Sequence, residues 1–107
     1  MDKKLYQVIT NVKRALELMG IHVNRVILFG SYAKGTASEY SDIDIAVISN
    51  DFKDKNLLKR LELIGEALAR AKIMDSVEVL PYTEEEFNSK REGSFASDEI
   101  KVKGIEI

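Results

Sequence analysis

Two short stretches of the chain carry groups suited to phosphate chemistry: Gly30-Ser31, and the acidic pair Asp42 and Asp44 beyond an interval of ten residues, Tyr32 to Ser41. Gly30 follows the apolar run Val26-Ile27-Leu28-Phe29, so the dipeptide closes a strand buried on both faces and opens a helical turn. Free backbone N–H groups, the positive end of a small helix dipole and the Ser31 hydroxyl meet there, which in physical terms is a phosphate site. Gly30 lets the backbone approach a ligand with no Cβ in the way. Alone, Gly-Ser is ordinary turn material and says little.

The acidic pair changes that reading. Asp42 and Asp44 stand at i and i+2 on a predicted strand, so both point to one face, about 6 to 7 Å apart along the chain. Ala46 and Ile48 continue that face, while Ile43, Ile45 and Val47 occupy the other. The strand therefore runs from an open rim into a core, and two like charges at such a rim are costly without a cation. Magnesium takes oxygen ligands, keeps several waters and is shared between one or two carboxylates and the phosphates of a nucleotide. A third acid is expected to complete the cluster. Glu78, flanked by Val77 and Val79, is the leading candidate, with Asp75 in reserve.

The elements that must position these groups follow from periodicity. Leu5, Val8, Ile9, Val12, Leu16 and Met19 recur at helical spacing, with Asp2 placed to cap the start and Gly20 the end. Strands are expected over 23–29, 42–48 and 76–80, the last ended by Pro81. Between the second and third, Leu57, Leu58, Leu61, Ile64, Leu68 and Ala71 mark a long amphipathic helix. Thr83 with Glu86 forms a capping box for a short helix, in whose first turn Glu84, Glu85 and Glu86 complement the dipole. In the tail from Arg91, Ser97 is read as capping a helix through Lys103, with Gly104 ending it and Ile105 to Ile107 a last strand. Strands alternating with helices indicate an α/β domain whose small mixed sheet is flanked by helices, with a parallel pair on either side of the long helix.

Size and composition narrow the function. A chain of 107 residues that is 45% hydrophobic fits one domain, residues 1–107. The formal net charge of −2 provides no general attraction to nucleic acid, and DNA is not an expected partner. With no cysteine and the single histidine His22, disulfides, thiolate sites and a zinc centre are excluded or improbable. No apolar run approaches the ~20 residues of a membrane span, and the chain is read as soluble and cytoplasmic. His22, at the entry to the first strand, is assigned a surface or capping role, and Tyr32 and Tyr40 are read as covering the end of the sheet rather than stacking on a base.

The stretch Gly30-Ser31-Tyr32-Ala33-Lys34-Gly35-Thr36-Ala37-Ser38-Glu39-Tyr40-Ser41-Asp42-Ile43-Asp44 resembles the signature of the minimal nucleotidyltransferases, the group with antitoxin members within the DNA polymerase β-like superfamily. Element order matches from the first helix to Leu80. The resemblance implies a nucleotidyltransferase fold, with Gly30 and Ser31 on the triphosphate of ATP and Asp42 and Asp44 as ligands of two magnesium ions. The third acid would help activate the attacking hydroxyl. Lys34 and Thr36, inside the signature loop, bring an ammonium and a hydroxyl within reach of phosphate. Lys34 stands where the family often has arginine and lacks its bidentate geometry. Glu78 stands where aspartate is frequent.

The function so implied is transfer of a nucleoside monophosphate, AMP from ATP, to a hydroxyl acceptor by a two-metal, in-line displacement. Nothing after Ile107 supplies an acceptor-binding domain, so the acceptor pocket is expected from a dimer mate or a separate chain. Stand-alone members resemble the antitoxin half of a two-gene module whose partner is a helical HEPN-domain toxin, and AMP is placed on that partner. The alternative is an antitoxin that neutralises its partner by covering it, with the metal site vestigial; the intact Asp42/Asp44 pair argues against that.

Overall fold

In the computed structural model, residues 2–89 and 96–107 are described. The first helix, α1 (Lys3–Leu18), buries Leu5, Val8, Ile9, Val12, Ala15 and Leu16, and Asp2 accepts a bond from the Lys4 N–H at its start. At its end Gly20 adopts a φ of 86°, a left-handed turn that glycine reaches without strain. The strands are β1 (Arg25–Phe29), β2 (Ile43–Ile48), β3 (Val77–Tyr82) and β4 (Ile105–Glu106), and α2 (Ser31–Lys34), α3 (Leu57–Arg70) and α4 (Glu84–Asn88) lie between them. A four-stranded mixed sheet results, in the order β3-β2-β1-β4. β2 is antiparallel to β1 and parallel to β3, as a strand–helix–strand crossover requires.

Alternation along the strands gives the sheet two unlike faces. On one, Val26, Leu28, Ile43, Ile45, Val47 and Val79 pack beneath α1 and α3 in the main core. On the other, Ile27, Phe29, Ala46 and Ile48 form a smaller cluster with Phe87 and Ile100. Phe87 arrives on α4, whose capping box has both reciprocal bonds between Thr83 and Glu86. Ile100 arrives on a π-helical segment, Ala96–Val102.

Several boundaries differ from the sequence expectation. Pro81 does not end the third strand but sits inside it, opposite Val47. The carbonyls of Ser76 and Tyr82 accept from the Ile43 and Ser49 N–H groups, so even-numbered residues of β3 direct their backbone groups at β2. Pro81 therefore turns its missing donor toward the open edge, where none is needed. Ser97 lies within the π-helical segment rather than capping a helix, and residues 91–95 of that tail lie outside the described residues. Gly104 does follow the segment, and a Cβ there would come within 2.6 Å of Ile27 Cγ2.

The largest correction concerns α3. Leu57, Leu58 and Leu61, expected on the buried stripe, are 60%, 67% and 44% exposed, and Ala71 is exposed too; the helix buries Ile64, as expected, together with Arg60 and Ala67. Arg60 can be buried because each nitrogen of its guanidinium has a partner. Nε donates to the carbonyls of Phe52 and Lys55 at 3.1 and 2.9 Å, and the two terminal nitrogens donate to Glu86 at 2.7 and 2.9 Å. Its Cζ also lies over the Phe52 ring, 5.7 Å from the centroid. This bidentate clasp joins the 3-10 turn Asn50–Phe52, α3 and α4. Rotating the helix to bury the leucines would leave that charge without partners, which costs more than three exposed side chains.

Candidate active site

The site is built where β1 ends and β2 begins. Phe29 pairs with Asp44 across the antiparallel ladder, so the residue after Phe29 lies against the Asp44 side chain. Gly30 holds a φ of 75° there. A Cβ at this position would lie 3.1 Å from Asp44 Cγ and collide with its Oδ2. Glycine is thus required twice, by backbone conformation and by the carboxylate beside it. The chain then turns into α2, where Gly30 O accepts from the Ala33 and Lys34 N–H groups, leaving the first N–H groups of the turn without partners inside the helix.

On the opposite side of β2, Asp44 faces Glu78 in the parallel register. Residues paired in this way project from the same face of a sheet, so Asp44 and Glu78 share the face of the smaller cluster, at its uncovered end, while Asp42, expected on the strand, lies just before β2 at the wall of a cleft shared with Leu5 and Tyr32. Burial raises the Asp44 carboxyl above its ordinary value, and the neighbouring charges of Glu78 and Asp42 and a hydrogen bond with Glu78 push the same way. Asp42 is exposed and accepts from the Ser76 hydroxyl. Among the described residues no three histidine, aspartate or glutamate side chains already close on one point able to hold a metal ion. The donor set is nonetheless what a hard cation prefers, since these carboxylates repel one another and, among the described residues, none forms an ion pair with a basic side chain.

The other expected residues are placed unequally. Ser31 is half-buried beside Gly30, while Thr36 is exposed and its N–H donates to Ser31 O. Lys34 is engaged elsewhere: its ammonium lies 2.8 Å from Glu99 of the π-helical segment. Asp75 lies outside β3, exposed, on the wall of a cleft of about 450 Å³ that also takes in Asp42, Tyr32 and Tyr40. Tyr32 packs against the main core, in keeping with the structural role expected of it. Tyr40 is 88% exposed and covers nothing. His22 is exposed; its N–H donates to Asp51 and its carbonyl accepts from Ser49. Sequence reasoning missed Ser76 and Glu99, each paired with a site residue more than 30 positions away, and no local pattern signals such a contact.

With this geometry in place, the comparison with known proteins is decisive on one point. Residues 6–105 match the family described as nucleotidyltransferase domain. The chain belongs to that family. A protein of Methanocaldococcus jannaschii, named as a candidate protein adenylyltransferase, is 44% identical over 62 residues, which is 56% of this chain and 39% of that protein. The chain therefore spans about two fifths of that relative's length. A crystal structure of a candidate nucleotidyltransferase from Sulfolobus solfataricus aligns over 99% of this chain and 87% of its own, with a TM-score of 0.55 at 20% identity, and shares the fold. A crystal structure described as a toxin-antitoxin with AMP-PNP aligns over 77% of this chain and 59% of its own, with a TM-score of 0.50 at 26% identity.

Among the described residues no helix is long and apolar enough to cross a membrane.

Proposed function

We propose that this nucleotidyltransferase domain, as a single unit over 1–107, transfers AMP from ATP to a hydroxyl acceptor. The observation that carries the proposal is the contact between Gly30 and Asp44. A turn suited to phosphate and a carboxylate suited to a cation occupy one point, and neither has another evident role there. In this reading Gly30 and Ser31 hold the triphosphate, Thr36 lies at the loop's edge, and Lys34 supplies positive charge. Asp42, Asp44 and Glu78 hold magnesium, two ions in the family pattern, and Asp42 exchanges its bond with Ser76 for that role. Glu78 is preferred to Asp75 because it is the register partner of Asp44.

Bound magnesium would supply Lewis-acid stabilisation of phosphoryl charge and an acidified acceptor hydroxyl. The chain's own residues fix the geometry. The Gly30-Ser31 turn orients the triphosphate so that the acceptor oxygen meets the α-phosphorus opposite the bridging oxygen of the leaving pyrophosphate. One P–O bond forms, one breaks, and the acceptor proton passes toward the carboxylate cluster. Adenine specificity and a protein acceptor are supported by the name of the Methanocaldococcus relative. A partner chain is supported by the toxin-antitoxin neighbour, and the partner proposed is a HEPN-domain toxin in the cytoplasm. A homodimer mate is the other source of an acceptor pocket, and DNA is not expected.

The test is transfer of label from α-labelled ATP to purified partner, comparing wild type with Asp44→Asn. Equal labelling by both proteins would end the catalytic reading. One observation favours the second reading, a protein that neutralises its partner by covering it: the exposed Leu57, Leu58 and Leu61 of α3 offer apolar area that a covering role would use.

A further inference from the structure

Lys34 is the only cationic side chain between Gly30 and Asp44, and its ammonium is held by Glu99 at 2.8 Å. Glu99 also lies 3.3 Å from Lys103, one helical turn along its own segment. The segment that carries Glu99 is fixed from three sides. Ile100 is buried at 1% exposure in the smaller cluster, Gly104 fits against Ile27 where a larger residue would clash, and Ile105 and Glu106 pair with β1. Glu99 therefore reaches Lys34 from a firm base, 65 residues away in sequence.

We propose that Glu99 is a positioning residue that occupies Lys34 in place of phosphate, so that a bound triphosphate takes Lys34 from Glu99. This rests on the nucleotide reading of the Gly30-Ser31 turn. Two features make the exchange cheap. Lys34 is 43% exposed on a flexible stem, so its ammonium can swing without moving α2. Glu99 is not stranded when Lys34 departs, because Lys103 remains beside it. The arrangement discriminates by reach: a triphosphate seated on the Gly30-Ser31 turn extends two further phosphates that can meet Lys34, whereas the single phosphate of AMP, though also close to doubly charged, ends at the turn. Glu99 thus tempers binding of the triphosphate and leaves a monophosphate unaffected.

The measurement is calorimetric binding of magnesium-ATP and of AMP to the full chain, for wild type, Glu99→Gln, Glu99→Asp, Lys34→Met and the Glu99→Gln/Lys34→Met double variant. Exposed ion pairs are weak, so Glu99→Gln should tighten ATP binding by about two- to fivefold. It should leave AMP binding unchanged, and the gain should vanish in the double variant. Glu99→Asp, which keeps the charge, should behave as wild type, an outcome that a loss of local packing would not produce. If wild type and Lys34→Met bind ATP differently but Glu99→Gln matches wild type, or weakens binding, the positioning role is overturned while the nucleotide site stands. Absence of ATP binding to wild type would overturn both.

Discussion

Replacing Glu86 with glutamine removes one charge from the Arg60 clasp and turns the oxygen that accepts from the second guanidinium nitrogen into a donor. Glutamine keeps the side-chain oxygen that accepts from Thr83 N–H in the capping box, and the volume is nearly unchanged. The Arg60 hydrogen bonds, and secondarily the Thr83 N–H, hold the Glu86 carboxyl down from 4.5 to about 2 against the opposing effect of burial. At about 1.36 kcal/mol per tenfold change in proton affinity this corresponds to about 3 kcal/mol. The Glu86 side chain is 40% exposed, and solvent screening brings the expected figure to about 1 to 2 kcal/mol. Because the folded value lies below the unfolded one, ionised Glu86 stabilises the fold above about 4.5, and its contribution is lost as pH falls through about 2. Urea denaturation of Glu86→Gln should thus show a deficit of about 1 to 2 kcal/mol at pH 7. The deficit should shrink steadily between pH 4.5 and pH 2, since protonated glutamate and glutamine are alike. A deficit as large at pH 2.5 as at pH 7 would show that the clasp acts through shape alone and would refute the electrostatic account.

Gly30→Ala should abolish transfer and weaken ATP binding at least tenfold, because the new methyl group meets the Asp44 carboxylate and occupies the space left for phosphate; unaltered turnover would detach the turn from the site. Asp44→Asn should make the protein without nucleotide or metal more stable at pH 7 in thermal melts. Its carboxyl is raised by burial and by neighbouring acids, so the ionised form is the unfavourable one in the fold. The gain should disappear as pH falls below about 4, where aspartate is protonated in both states, and a large loss of stability at pH 7 would make Asp44 structural instead. On α3, Leu58→Glu should change stability by less than about 0.5 kcal/mol and Ile64→Ala should cost about 2 to 5 kcal/mol in urea titrations; the reverse ranking would mean that the helix presents its leucines to the core.

The fold was legible wherever one periodicity decided an element by itself. The stripe from Leu5 to Leu16 and the run Val26 to Phe29 each have a single way to be buried. α3 was misread on its leucines because hydrophobicity outweighed an arginine that looks like a surface residue. The partner that makes Arg60 a core residue is Glu86, 26 positions later and already explained as a capping residue. One side chain serving two elements has no local signature. The same holds for Glu99, whose hold on Lys34 depends on how β4 returns along β1.

Legibility of the candidate site has a structural cause. Phe29 and Asp44 are opposite one another in the β1–β2 ladder, so the positions of Gly30 and Asp44 in the chain are tied by register and by the length of the connection between the strands. Adding a residue at the start of β2 would flip Asp44 to the main-core face, and shifting by two would move the carboxylate away from the turn. Ser31 in the turn and the second acid at i+2 complete a set whose spacing is geometric. What that spacing cannot encode is the occupant of the remaining side. Asp42 is tied to Ser76 and Lys34 to Glu99, partners contributed by later segments, and both bonds must exchange before the proposed nucleotide geometry is reached. The residues that set the resting state of the site are therefore the ones most remote from it in sequence, and the Glu99 variants probe that state directly.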